Sequence, residues 1–467
     1  MSSSSAVADA VFVLPALPVG AWRHLGSEPL RRADFAYLPD KTGLLRLHRC
    51  PLAYNPPVTS TPPVTSRDAG DRCPGALRLI EAADGYLARI RLPGGFVTGE
   101  QLRVLAALAS ELGDGRVELT SRGNVQLRAL PADAAEPLTA ALTQAGLLPS
   151  LDHDRVRNVI ASPLAGLDGL GSGRDLTAIV AALDAELCAR PRLAELSGRF
   201  LLAIDDGRGD VAGLGADVIA VAGADNSMVN GLTVTGIATS DVVAVMLAFA
   251  EAFLDERAAT GSAAWRIADL PDLPGLPGGA ERVRAAVAAR FGLAPVPQLP
   301  VPLAAARPVG LVRRSVDAGR GVEPRSVTPD GLDSLVLLAP LGRLTAAQVT
   351  WLAARATGRP ARVTPWRSVV LPDQPDADGA LREAAGLGFG VDDASPWLRV
   401  TACAGRPGCA SALADVRADA AAFAARWPGR IVHVSGCGRH CGRPAATEID
   451  VTATSEGYQV AEVSVRA

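Results

Sequence analysis

Leu92-Pro-Gly-Gly95-Phe-Val-Thr98-Gly-Glu-Gln101-Leu-Arg-Val-Leu105-Ala-Ala-Leu-Ala109 is answered later in the chain, without a gap, by Ala339-Pro-Leu-Gly342-Arg-Leu-Thr345-Ala-Ala-Gln348-Val-Thr-Trp-Leu352-Ala-Ala-Arg-Ala356. In each copy a Pro-Gly turn leads into Thr-x-x-Gln. This is a capping box: the threonine hydroxyl accepts from an N3 amide while the glutamine reaches back to the threonine N–H. Leu102, Leu105, Ala109 and Leu112 then recur at helical spacing as one apolar stripe, which Gly113 ends. Ahead of the first helix, Leu87 to Leu92 alternates with the period of a strand. Behind the two helices, Arg116 to Arg122 and Arg362 to Arg367 each read as a strand closing on an arginine at a turn. Arg157-Asn158-Val159 against Arg399-Val400-Thr401 is a third, looser echo. Duplicated strand–helix–strand units of this length predict an α+β chain whose halves are related by a pseudo-twofold axis.

The rest of the chain sets the limits. Its 467 residues are enough for several domains, and 48% hydrophobic with 20% charged residues is globular composition. A net charge of −3 gives no reason to expect nucleic acid or an anionic membrane as partner. Lys41 is the only lysine, so the abundance of arginine reflects base composition as much as guanidinium chemistry. No apolar run approaches the roughly 20 residues of a membrane span, and Ala10 to Val19 lacks the basic flank of a signal peptide. Residues 1–70, with a serine run and a doubled Pro-Pro-Val-Thr-Ser, read as an N-terminal extension or linker. Prolines cluster again at 271–277 and 295–302. The expected divisions are half-domain 71–140, a larger domain 141–265, a Pro-rich linker region 266–304, half-domain 305–380 and a terminal domain 381–467.

Four of the seven cysteines crowd into that last domain as Cys403-Ala-Gly-Arg-Pro-Gly-Cys409 and Cys437-Gly-Arg-His-Cys441. A disulfide framework would be spread more evenly over a smaller chain, so reduced thiols and a cytoplasmic setting are expected. An iron–sulfur cube needs four converging thiolates on a sharply turning backbone. Gly405, Pro407, Gly408, Gly436, Gly438 and Gly442 suit such turns. A zinc site fits less well, because zinc knuckles favour shorter C-x2-4-C spacings. Between the two motifs, Ala410 to Trp427 reads as a helix.

C-x5-C followed by C-x3-C, after a duplicated Pro-Gly half-domain, resembles the ferredoxin-type sulfite and nitrite reductases over nearly all of 71–467. Cys73-Pro74-Gly75, Leu119-Thr-Ser-Arg-Gly-Asn-Val-Gln-Leu127, Arg157-Asn-Val-Ile-Ala-Ser-Pro163 and Leu196-Ser-Gly-Arg-Phe200 leading into Asp205-Asp-Gly-Arg-Gly-Asp210 look like the precorrin-3B synthase branch. The resemblance implies duplicated ferredoxin-like half-domains plus two larger α/β domains, with a 4Fe-4S cluster on Cys403, Cys409, Cys437 and Cys441. In the reductases siroheme lies over that cluster, bridged by the cysteine matching Cys441. Their substrate anion is held by two arginines, matching Arg91 and Arg157, and by a Lys-x-Lys pair that falls on Arg199 and Leu201. A basic residue replaced by Leu201 argues against six-electron reduction of an oxyanion. Arginine forks suit the carboxylate rim of a tetrapyrrole substrate instead. Arg91, Arg122, Arg157 and Arg199 are therefore the expected substrate-binding residues. They belong to a wider set on the segments lining the tetrapyrrole cavity of the reductases, with Arg116, Arg128 and Arg155.

The implied reaction is O2-dependent hydroxylation of precorrin-3A at a meso carbon, followed by γ-lactone formation. Electrons would come from a reduced donor, NADH-linked or ferredoxin-like. The resemblance also implies a separate mononuclear non-haem iron. The sequence leaves its ligands open among Asp152-His153-Asp154 and Asp205, Asp206 and Asp210. His440 reads as a neighbour of the cluster, and His24, His48 and His433 carry no signal. Competing readings are a siroheme-dependent sulfite or nitrite reductase and a non-catalytic iron–sulfur carrier of tetrapyrroles.

Overall fold

A computed structural model describes residues 12–14, 71, 73–223, 226–235, 239–294, 308–313 and 332–463. Apart from strand β1 (Phe12–Leu14), almost all of the expected 1–70 extension lies outside the described residues, as does 295–304 of the linker region. The first half-domain runs β2 (Ile80–Ala82), β3 (Gly85–Ile90), β4 (Phe96–Val97), α1 (Gly99–Leu112), β5 (Arg116–Leu119), β6 (Val125–Leu130) and α2 (Ala135–Gln144). A larger domain follows: β7 (Val159–Ala161), α3 (Thr177–Cys188), β8 (Leu202–Asp205), β9 (Val218–Ala222), β10 (Asn226–Val229), β11 (Leu232–Thr235), α4 (Thr239–Ala259) and α5 (Gly279–Phe291). The second half-domain holds β12 (Gly310–Val312), β13 (Asp333–Leu338), β14 (Arg343–Thr345), α6 (Ala346–Arg355), β15 (Ala361–Val363), β16 (Ser368–Gln374) and α7 (Ala377–Gly386). The terminal domain adds β17 (Val400–Ala402), α8 (Val416–Arg426), β18 (Val432–Ser435), β19 (Ile449–Thr454) and β20 (Gly457–Glu462).

The duplication is complete in topology. One half-domain sheet runs β2-β3-β6-β5-β14 and the other β12-β13-β16-β15-β4. The short strands β4 and β14 are thus exchanged, each closing the open edge of the other copy's sheet. The larger domains match as well. β7, β8 and β9 pair in parallel and β10 returns antiparallel, just as β17, β18 and β19 pair in parallel and β20 returns. This is the α+β sulfite/nitrite reductase-like architecture. Both capping boxes form, at Thr98 with Gln101 and at Thr345 with Gln348. Leu102, Leu105 and Ala109 of α1 and Val349, Leu352 and Ala353 of α6 enter one shared core with Ala88, Ile90, Leu127, Leu335 and Leu337.

The structure corrects the sequence reading in several places. Gly113 ends α1 in extended backbone, and Gly115 takes the left-handed turn at φ 74°. Ala410–Trp427 is helical only from Val416, because Asp415 accepts from the Ala418 N–H and starts α8 there. The boundaries at 140 and 380 each cut a helix, α2 and α7, whose Leu138, Leu142, Ala380 and Ala384 are core residues of their half-domains. The region 266–304 carries α5, whose Val283 and Val287 are buried with the core of the larger domain. The third echo is out by one residue. The Asn158 and Arg399 carbonyls each accept from the first residue of the next strand, Leu202 N (3.0 Å) and Val432 N (2.7 Å), so Arg157 has Leu398 as its counterpart. The turn arginines shift likewise. Thr120 Oγ1 accepts from Arg122 N and Asn124 N as Thr364 Oγ1 does from Trp366 N and Ser368 N, which makes Arg122 the counterpart of Trp366.

Gly99 marks a close approach of α1 to α6. A Cβ there would lie 2.6 Å from the Ala353 carbonyl oxygen and 2.9 Å from that of Ala356. Gly99→Ala must push α1 from α6. It should lower the melting temperature more than Thr98→Ala, whose lost cap costs about 1 kcal/mol; equal shifts in thermal unfolding would show that the helix seam tolerates the methyl group.

Candidate functional site

Alternation along β3 and β6 sends Ala88, Ile90 and Leu127 into the core and puts Arg89, Arg91, Gln126 and Arg128 on the opposite face. Glu118 of β5 stands opposite Gln126 and joins them. On the second copy the same face carries Val336, Leu338 and Val370, with Val336 opposite Val370. One scaffold thus presents a charged sheet face in one copy and, around the buried Arg362, a mostly apolar one in the other. A cavity of about 1430 Å³ lies against the apolar face, with Trp366 and Trp397 among its walls.

The charged face is short of counter-charge. Arg91 is 2% exposed; its Nη2 donates to the Pro74 and Arg155 carbonyls, while Nε and Nη1 are buried with no partner among the described residues. Arg89 donates Nη2 to Gln126 Oε1 at 3.1 Å, and its Nε is also buried and unpartnered. Arg122, at the β5–β6 turn, donates Nη1 to the Gly198 carbonyl at 3.1 Å. Burial lowers all three guanidinium pKa values, Arg91 to about 10. Cys73 sits among them, its thiol pushed up by burial and by Asp71. Asp154, the nearby carboxylate, is already accepting from the Ala76 and Leu77 N–H groups.

The other expected arginines are placed differently. Arg157 is spent on a buried fork to Asp184 (2.7 and 2.6 Å) and on the Leu147 carbonyl, so it packs the interior of its domain rather than reaching a ligand. Arg199 is exposed, with its guanidinium 4.4 Å over the Trp265 ring. Arg155 is tied to Asp71, and Arg116 is exposed. Arg128 forks onto Asp84 and donates to the Gly408 carbonyl at 2.8 Å, which clamps the first cysteine loop to β6. Leu201 is buried with Ile160, Ala203 and Val211, an apolar nest with no place for a cation.

Both cysteine loops leave the carboxyl ends of neighbouring parallel strands, β17 and β18, the usual position for a site in an α/β sheet. Cys403 N donates to the Val434 carbonyl (3.0 Å), the Gly436 N–H points at Cys403 Sγ (3.1 Å), and Leu413 N donates to the Gly436 carbonyl (2.8 Å). Gly405 needs its positive φ of 64°, since a Cβ would meet Val416. Gly408, Gly436 and Gly438 are not in that region; Gly436 is required by close approach to Ala412. The Cys441 thiol is pushed up by burial and by the charges of Cys403, Cys437 and Cys409, so all four sulfurs share one electrostatic neighbourhood. Among the described residues, the His, Cys, Asp and Glu ligand atoms that gather in threes within 4.8 Å are those of Asp205, Asp206 and Asp210. Four thiols on loops from two neighbouring parallel strands are the donor set of a four-thiolate site.

Most of the candidates for a second iron are engaged within the protein, Asp152 being exposed. Both His153 ring nitrogens are engaged, with Ser150 Oγ and the Arg190 carbonyl, in a buried setting. Asp205 gives its oxygens to four backbone N–H groups, at Gly207, Gly209, Val211 and Ala212. Asp206 and Asp168 both grip Arg208, and Asp210 accepts from Ser162. This loop follows β8 as the Cys437–Cys441 loop follows β18, so an internal ion network occupies the place that cysteines take in the other half. His440 pairs with Asp450 at 3.0 Å. His433, which no sequence signal singled out, is fully buried beside Thr401, its pKa lowered to about 4 by burial. His24 and His48 lie outside the described residues.

The nitrite/sulfite reductase ferredoxin-like half-domain profile matches residues 80–145. A ferredoxin–nitrite reductase of Synechococcus elongatus is 27% identical, over 78% of this chain and 75% of its own length. A precorrin-3B synthase of a Sinorhizobium species is 27% identical, over 83% of this chain and 81% of its own. The structure of the Mycobacterium tuberculosis NirA protein superposes with a TM-score of 0.60 at 20% identity, covering 80% of this chain and 73% of that one.

Two substitutions check this geometry. Burial and the neighbouring Asp205 carboxylate raise the Asp210 pKa to about 6, although Ser162 opposes the shift. The folded state therefore favours the protonated acid, and stability is lost as pH rises from about 4 to 6. Asp210→Asn should raise the melting temperature at pH 7 and flatten its dependence on pH in that window. Arg157→Leu strands the Asp184 carboxylate, a loss of ~3 kcal/mol or more for a broken buried pair, seen as a lower denaturant midpoint; an unchanged midpoint would place the arginine elsewhere. By fold, by the half-domain profile over residues 80–145 and by relatives of both kinds, the chain is similar to nitrite/sulfite reductases and to precorrin-3B synthase.

Proposed function

We propose that the protein is a precorrin-3B synthase, an O2-dependent monooxygenase acting on precorrin-3A. The observation that carries this reading is Leu201. A reductase of small oxyanions gathers cations at this place in the sequence, and here the side chain is buried with Ile160, Ala203 and Val211. The Sinorhizobium relative supports the same branch. Arg91, buried, and Arg122, half-buried, make no ion pair among the described residues, which suits an acetate or propionate of a macrocycle rim. Arg157 falls out of that role because its guanidinium is spent on Asp184, whereas Arg199, exposed and stacked over Trp265, keeps its charge.

Cys403, Cys409, Cys437 and Cys441 would hold a 4Fe-4S cluster, which supplies single electrons from a reduced, NADH-linked or ferredoxin-like donor. One atom of O2 enters the substrate as hydroxyl and the other leaves as water, with two electrons and two protons supplied. The ring A acetate then closes the γ-lactone. The chain's own task is to fix the macrocycle by its carboxylates against a buried wall. A mononuclear non-haem iron would find Asp205 and Asp206 already committed to backbone N–H groups and to Arg208, with one Asp210 oxygen left 3.9 Å from Arg208. The competing reading, a siroheme-dependent nitrite or sulfite reductase, draws on the Synechococcus relative.

Incubating reduced, cluster-reconstituted protein with precorrin-3A under 18O2 should give product carrying one heavy oxygen by mass spectrometry. Unchanged precorrin-3A with a full cluster, or siroheme bands in the isolated protein, would shift the assignment to the reductase. Cys441→Ser should weaken or abolish the broad cluster absorbance, because a thiolate ligand is lost; full retention would mean the ligand set is different.

A further inference from the structure

Beyond the arginines already assigned, a continuous chain of polar contacts runs from the charged sheet face to the first cysteine. Arg89 Nη2 donates to Gln126 Oε1 at 3.1 Å, and Gln126 Nε2 donates to Glu118 Oε2 at 2.5 Å. The other Glu118 oxygen is gripped by Arg417 and faces Arg343 Nε at 3.2 Å, and Arg417 Nε donates to the Cys403 carbonyl at 3.3 Å. Glu118 is 4% exposed and its carboxyl is held below the usual range, because Arg417 and the Gln126 and Arg417 hydrogen bonds outweigh the larger effect of burial. Every link before Arg417 lies on one face of one sheet, so it is rigid by strand geometry.

At the far end, Arg89 keeps a buried, unpartnered Nε beside Arg91, which keeps Nε and Nη1. Neither makes an ion pair among the described residues, whereas Arg128, on the same face, is forked onto Asp84. Buried guanidinium groups left in this state call for an anion. Both ends of the chain are thus charge-sensitive: an anion site at one, a thiolate-ligated group at the other.

We propose that Arg89 is a further anion-holding residue of this site, and that Gln126 and Glu118 couple its occupancy to the electron load of the cysteine site. A carboxylate docked on Arg89 and Arg91 draws their charge away from Gln126 and Glu118. The Glu118–Arg417 pair then places less positive charge at the Cys403 carbonyl, and reduction becomes harder. By linkage, reduction weakens anion binding by the same factor, so oxidation of the cluster would tighten the grip on the macrocycle. This rests on the cluster and macrocycle readings above, and the test separates them.

The probe is uroporphyrin III, a stable polycarboxylated macrocycle. Its binding is followed by fluorescence, and the cluster potential by EPR-monitored redox titration with and without it. Wild-type protein should bind it and show a lowered potential, by about 59 mV if affinity falls tenfold on reduction. Arg89→Leu should weaken binding about tenfold, the loss of one charge-assisted hydrogen bond. Gln126→Leu leaves Glu118 on Arg417 and should keep binding to within a few-fold while losing most of the potential shift. Glu118→Gln should do the same if it folds; Gln126→Leu serves in either case. Full retention of the shift in Gln126→Leu overturns the coupling, and wild-type affinity in Arg89→Leu overturns the anion role. Protein that binds uroporphyrin but contains no iron after reconstitution removes the cluster reading and the coupling with it. Cluster-loaded wild-type protein that binds no uroporphyrin overturns the anion site alone.

Discussion

Each half-domain sheet has an edge that its own copy leaves open, and the other copy closes it with one short strand, β4 or β14. An unpaired sheet edge exposes N–H and C=O groups that must find partners. Exchange satisfies both edges at once and forces α1 against α6 in a common core. Neither half-domain is complete alone, so the pseudo-twofold is a condition of folding. The larger domains take their positions from it.

That symmetry makes the differences informative. Glu118 and Arg362 occupy equivalent positions, opposite Gln126 in one sheet and opposite Val370 in the other. Both are buried and both tie their sheet to the loop that follows the first parallel strand of a larger domain. Glu118 does so through Arg417 to the Cys403 carbonyl, and Arg362 directly to the Pro163 and Ala165 carbonyls. The same mechanical task is done with opposite charge. The arginine face of the first copy meets the thiol-bearing loops of the second, whereas the valine and leucine face of the second copy meets first-copy loops locked by Asp168, Arg208 and Asp206. One such pairing is built to hold charge from outside the chain, while the other has neutralised itself.

Burial explains why this asymmetry matters for chemistry. Charge that is paired within the protein, as in Arg157 with Asp184, contributes order but offers nothing to a ligand. Charge that is buried and unpaired, as in Arg91, costs folding energy that an incoming carboxylate recovers on binding. The distinction cannot be made from residue type, since nearly every basic residue of this chain is arginine.

The duplicated Pro-Gly turn and capping box, the two helices behind them, the α+β class and the four-cysteine constellation were all legible in the sequence, because they depend on local spacing and on backbone chemistry that acts over a few residues. Leu201 was visible too, as a residue of the wrong character for its neighbourhood. Tertiary structure alone decided the strand exchange, the one-residue offsets that pair Arg122 with Trp366 and Asn158 with Arg399, and the helical part of 266–304. It also separated Arg91 and Arg122, which keep charge to offer, from Arg157, which does not, set Arg199 on the surface over Trp265, and added Arg89 and Glu118. The physical reason is common to all of these: a side chain's availability is set by partners brought in from distant parts of the chain, and sequence spacing does not encode which partner arrives.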